Sequence, residues 1–112
     1  MSPTHFITRF NYYCIKISVG LGTTELLAAK SGFYYAIMSY CLIPTSLLSA
    51  TVDIKSGTTS LTDPLGLILN VPVTLSGGEY PLMLTNRNEA LNIVGAGTTL
   101  TVHGHMTVCE IP

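Results

Sequence analysis

Two histidines separated by one residue, His103 and His105 in "HGH", form the pair best spaced for chemistry. On an extended strand, side chains two apart point to one face. Two imidazoles so placed can share a metal ion. No third ligand is apparent beside them, and His5 is far along the chain. Three copies around a three-fold axis could supply ligands jointly. The plainer reading, which we adopt, is a pair of polar or interface histidines with no metal. The six carboxylates, Glu25, Asp53, Asp63, Glu79, Glu89 and Glu110, are scattered. No two are spaced for acid–base work, and solvated surface charge is their expected role. "GLGTTE" and "GAGTTL" lack the third glycine of a dinucleotide loop. Neither a Gly-Lys-Ser/Thr phosphate loop nor a Gly-x-Ser-x-Gly nucleophile motif occurs. The expectation is no catalysis, no cofactor and no small-molecule substrate. A small enzyme or ligand-binding barrel, resting on His103 and His105, is the competing class.

The cysteines, Cys14, Cys41 and Cys109, include no Cys-x-x-Cys pair. Three is too few for a disulfide framework. Each lies among strand-like residues, so each is expected as a small buried hydrophobe. A Cys14–Cys109 bridge between terminal strands is the alternative.

The elements around these residues read as strands. "YYCIKISV", "GFYYAIMSYCLI", "ATVDIKS", "LGLILNVPVTL", "EALNIVG" and "TLTVHGHMTVCEI" are rich in β-branched and aromatic residues and are bounded by Gly, Pro, Asn and Ser. "ATVDIKS" alternates cleanly, with Val52 and Ile54 on one side and Thr51, Asp53 and Lys55 on the other. "LGLILNVPVTL" is apolar on both parities, which suggests burial on two faces. Only "TELLAAKS" reads as a possible short helix, near Thr24–Ala29. Gly-Thr-Thr occurs at 22–24, 57–59 and 97–99. Gly permits a turn and threonines favour extended chain, so the motif reads as a turn-to-strand device. The whole predicts one all-β domain, a sandwich or barrel.

Composition narrows the partners. Charged residues are 10% of the 112, against about 25% in ordinary soluble domains, and 47% are hydrophobic. Net charge is -1, and Arg87 is the one Lys or Arg after Ser56. Nothing here makes a basic field for nucleic acid. Residues 31–52 carry no charge, yet Pro44, four Ser, two Thr and three Tyr interrupt them. A membrane span is therefore not expected. No signal peptide is expected either, because His5, Arg9 and Lys16 break any apolar core. An apolar, charge-poor chain calls for a partner surface.

"YYAIMSYCLIPTSLLSATVDIKSGTTSLT", with "NEALNIV" at 88–94 and "HGHMTVCEI" at 103–111, resembles small tailed-bacteriophage virion proteins. Those chains carry a strand ending in Ser-Tyr, a loop, then a strand with Ser-Gly-Thr-Thr. Gly-Glu-Ala-Leu-Asn-Leu and a C-terminal Gly-x-Leu-x-Tyr-x-Glu follow. "SVGLGTTELLAAKSGFYYAIMSY" matches the segment upstream. The resemblance runs in order over residues 11–112. Asn88 stands where Gly is usual, and Val108-Cys109 where Tyr is common.

The resemblance implies a jelly-roll β-sandwich of the tumour-necrosis-factor-like kind at 12–112, assembled as a homotrimer in the virion after synthesis in host cytoplasm. It implies a capsid cement or decoration protein that contacts the major capsid protein. A fibre or knob module that binds a host glycan or protein is the alternative, with Phe33, Tyr34, Tyr35 and Tyr80 as its available aromatics. In the related fold the last strand and the strand before the first long loop lie in the inner sheet, which implies Tyr40, His105 and Met106 at the trimer interface. Residues 1–11 precede the sandwich. "MSPTHFITRF" is too apolar for an ordinary disordered tail, so Phe6, Ile7, Arg9 and Phe10 are expected to grip the capsid as an arm.

Overall fold

The computed structural model describes residues 11–112. Two long strands dominate it, β3 (Tyr34–Ser56) and β8 (Leu91–Ile111). They pair antiparallel from Tyr34 opposite Ile111 to Ser56 opposite Leu91. At about 3.3 Å per residue a straight β3 would extend roughly 75 Å, yet the longest dimension is 45 Å. The ribbon therefore bends. Its irregularities mark the place: an extra β3 residue between Pro44 and Ser46, a left-handed Ser49 (φ 46°), and Gly97 (φ 133°). A Cβ on Gly97 would strike the Ser49 carbonyl oxygen and the Ala50 backbone, and one on Gly104 would strike the Cys41 carbonyl oxygen. Only glycine allows β8 to pass so close to β3 at these points.

Shorter strands flank the ribbon. β1 (Asn11–Val19) pairs with the C-terminal part of β8, and β2 (Gly22–Leu27) with its N-terminal part. On the other side β3 carries β4 (Thr59–Ser60), β5 (Leu65–Gly66), β6 (Val73–Ser76) and β7 (Met83–Leu84). The result is one antiparallel sheet with no helix among the described residues. Its two halves share a single core. Tyr35, Ile37, Tyr40 and Leu42 from one end of β3 cluster with Val52 and Ile54 from the other, and Leu91 and Ile93 with Met106 and Val108 of β8. Burying such side chains contributes about 1.5–3 kcal/mol each.

The all-β expectation holds, and the detail differs in places. "TELLAAKS" is not helical. Thr23, Thr24 and Glu25 pair with Val94, Ile93 and Asn92 of β8, and pairing with a formed strand overrides local helix preference. "LGLILNVPVTL" is not buried on two faces. It crosses β5, a turn and β6 along the side of β3, and Ile68, Leu69, Val71 and Leu75 stay exposed. Asn11, assigned to the arm from sequence, opens β1 opposite Glu110. Phe6, Ile7, Arg9 and Phe10 lie outside the described residues. Gly22, Gly57 and Gly97 share positive φ, so the repeated Gly-Thr-Thr is a local backbone device: it opens β2, turns β3 into β4, and bends β8.

Candidate functional site

Strand alternation places His103 and His105 on one face of the half built from β1, β8, β3 and β6. Both are exposed. Lys16, His105, Cys41 and Thr74 stand in one cross-strand row, with Ser18, His103 and Ile43 in the next. Thr74 Oγ1 donates to Cys41 Sγ at 3.5 Å. No carboxylate stands in either row, so neither imidazole has a partner for acid–base work there. Among the described residues no three His, Cys, Asp or Glu side chains are grouped to hold a metal ion.

All three cysteines fall on this same face. The rows are Cys14–Thr107–Ser39 and Tyr12–Cys109–Ala36, so Cys14 and Cys109 are not opposite one another. All three thiols are free. Cys109 is buried as expected, in a small cluster with Ala36 and Met38 covered by Tyr12 and Ile111. Burial, then the nearby Glu110 charge, pushes its thiol pKa up. Cys14 is exposed and Cys41 half-buried, contrary to the expectation for them. Tyr12 Oη is buried without a hydrogen-bond partner among the described residues.

Of the expected interface residues, His105 is exposed, while Tyr40 and Met106 lie inside the chain's own core at 4% and 0% exposure. The register slip at Met38 accounts for Tyr40. Inward positions shift there from Tyr35 and Ile37 to Tyr40 and Leu42.

The sequence reading missed two polar clusters. Glu110 is buried at one end of the core, where it accepts from Lys30 Nζ and from Tyr13 Oη, each at 2.8 Å. Lys30, foremost, holds its carboxyl below the usual range against the opposing effect of burial, with Tyr13 adding to the depression. Tyr35 Oη donates to the Ala28 carbonyl, which ties down the same β2–β3 connection. At the other end buried Ser56 donates to Glu89 Oε1 at 2.6 Å and accepts from Asn86 N at 2.8 Å. Asn86 Nδ2 also donates to Glu89, and the two partners lower the Glu89 pKa, Ser56 first. This serine has no histidine beside it among its bonding partners and no exposed surface. It fastens the β3–β4 turn to the start of β8. The signal for Glu110 was a carboxylate in an apolar strand, "TVCEI"; its partners are 80 and 97 residues away and leave no local trace.

The most distinctive surface is apolar. Ile68, Leu69, Val71, Leu75, Tyr80 and Leu84 are exposed along the stretch from β5 to β7. No protein-family model matches this chain, and neither a curated protein nor a solved structure matches it.

Proposed function

We propose that the chain is a structural virion protein of a tailed bacteriophage that acts by binding alone. In this reading it is a homotrimeric cement or decoration protein, with the bent sheet as a jelly-roll sandwich, seated on the major capsid protein at capsomer junctions. The observation that carries the proposal is the amount of large apolar surface left exposed on a chain with so few charges. Such surface marks an interaction site on a protein. The ordered resemblance over residues 11–112 and the all-β fold support it. Burial at roughly 25 cal/mol per Å² would offset the outward pressure of packaged DNA.

The fibre or knob reading asks for a loop cluster of aromatics. Tyr35 is instead in the core, Phe33 and Tyr34 are half-buried, and Tyr80 alone is exposed. The capsid reading is therefore preferred. Electron microscopy of virions made with and without this gene is the test. Loss of density over capsomer junctions supports the proposal; intact heads with altered tail fibres overturn it. Deleting residues 2–10 should weaken binding to capsids lacking the protein while its β-signal persists.

A further inference from the structure

The geometry points to the Asp63–Pro64 peptide bond as a site at which the chain cuts its own backbone. This bond lies in the turn between β4 and β5, and both of its residues are exposed. The turn is not slack. Leu61 N donates to the Ile54 carbonyl at 2.8 Å on one side of it, and Leu65 pairs with Val52 on the other. Asp63 is clamped at both ends of its own backbone. Its N–H donates to Ser60 Oγ at 2.9 Å, and its carbonyl oxygen accepts from Thr62 Oγ1 at 2.8 Å. Thr62 Oγ1 also lies 3.2 Å from Asp53 Oδ1, but that oxygen already accepts from Ser60 Oγ at 2.7 Å. The single hydroxyl proton of Thr62 therefore goes to the nearer Asp63 carbonyl. So held, Asp63 sits at φ 58°, whereas a residue before proline prefers extended backbone with φ near about −120°. Among the described residues its side-chain carboxylate is in no hydrogen bond, which leaves it free to turn.

These are the parts that an intramolecular acyl transfer needs. An oxygen of the Asp63 carboxylate attacks the carbonyl carbon of the same residue, with attacker and target tethered through the Cα–Cβ bond. Negative charge builds on the carbonyl oxygen, to which Thr62 Oγ1 already donates. The Pro64 nitrogen takes a proton from solvent acid, the C–N bond breaks, and Pro64 leaves as a secondary amine. A cyclic anhydride of the succinic type remains on Asp63. Water, which the exposed turn admits, opens the anhydride and returns the side-chain carboxylate beside a new chain-terminal one. One water is consumed per bond cut, with no oxidation and no other reactant. Proline favours the step because its ring nitrogen accepts the proton more readily than an ordinary amide nitrogen. Breaking the bond also releases Asp63 from its left-handed backbone. The pieces stay together, since β3 and β8 come from opposite sides of the cut and pair from Tyr34 and Ile111 to Ser56 and Leu91. The change is made once to the chain itself and does not depend on what the finished protein binds.

Intact-mass spectrometry of the full chain tests this, with circular dichroism as the folding control. The chain is held at about pH 5, above the range in which the lowered Glu110 and Glu89 lose their charge. The expected products are residues 1–63 and 64–112, whose masses sum to that of the chain plus one water. They should separate only on denaturation. The native chain should be cut at least about 10-fold faster than the same chain unfolded in urea at the same pH. D63N should abolish the cut. T62V should slow it about 10-fold or more, while T62S, which keeps the hydroxyl, should retain it. A native chain that stays whole, or is cut no faster than the unfolded one, overturns the inference, because the bond then has only the lability of any Asp-Pro sequence. A folded T62V cut at the wild-type rate overturns it as well. If T62V does not fold, the comparison of native with unfolded chain decides alone.

Discussion

Lys30 Nζ lies 2.8 Å from Oε1 of Glu110, joining the β2–β3 connection to the end of β8. The lysine side chain is half exposed and the carboxylate nearly enclosed, at 49% and 2%. The pair is therefore asymmetric: Lys30 can be hydrated without Glu110, but Glu110 depends on its partners.

Acid should weaken the fold through this carboxylate. The folded pKa values of Glu110 and Glu89 are both lowered. Their contribution is complete above the unfolded value, about 4.3, and is lost as pH falls through the folded values. Thermal melts should be flat near neutrality and fall below about pH 4.3. Glu110→Gln should cost about 2 kcal/mol at pH 7 and progressively less as pH falls through the lowered folded pKa and the wild-type carboxylate takes up its proton. A cost that never shrinks on acidification would mean that the charge is not what matters.

The bend should be intolerant of side chains. Gly97→Ala meets both the positive φ and the Ser49 carbonyl oxygen, and a cost of at least about 2 kcal/mol is expected. Gly66→Ala is the contrast, because a Cβ there meets nothing within 4 Å. Urea denaturation of the two variants should separate them clearly.

The thiols should react in order of exposure. Cys14 should be alkylated in the native protein, while Cys109 should be blocked until unfolding. Mass spectrometry after brief labelling reads this directly. Rapid native labelling of Cys109 would contradict the cluster formed with Ala36 and Met38.

The shared core should respond to a cavity made at either end. Leu42→Ala and Ile54→Ala remove fully buried side chains from opposite ends of β3, and each should cost about 2–5 kcal/mol. Both should lower one cooperative transition. Two separate melts in either variant would show that the halves are independent.

Strand identity was legible where alternation is local. Val52 and Ile54 point inward and Asp53 and Lys55 are half-exposed, as "ATVDIKS" implies. Strand length was not. "GFYYAIMSYCLI" and "ATVDIKS" read as separate runs, yet β3 passes through Pro44 and Ser49 without leaving β8. Gly97 likewise bends β8 where it reads as a turn. Parity slips at Met38 and Thr45 depend on the opposing strand, so a period of two cannot follow them. The exposure of Ile68 to Leu75 was also hidden, since an apolar run has the same composition whether it fills a core or a surface. The shared face of His103 and His105 was readable from their spacing. Cys41 and Lys16 beside His105 required the register.

The dependence of β1, β2 and β3 on one late strand fixes an order of events during synthesis. Each of the three takes β8 as a neighbour, and Asn11 must find Glu110. While residues 91–111 are still untranslated, β1 and β2 have no partner strand and β3 has only the short strands β4 to β7. Loop closure over such separations is slow, and all-β domains of this kind fold in milliseconds to seconds. The nascent chain therefore carries unpaired, charge-poor strands until β8 leaves the ribosome. That interval, rather than any weakness of the finished sheet, is when aggregation competes most strongly.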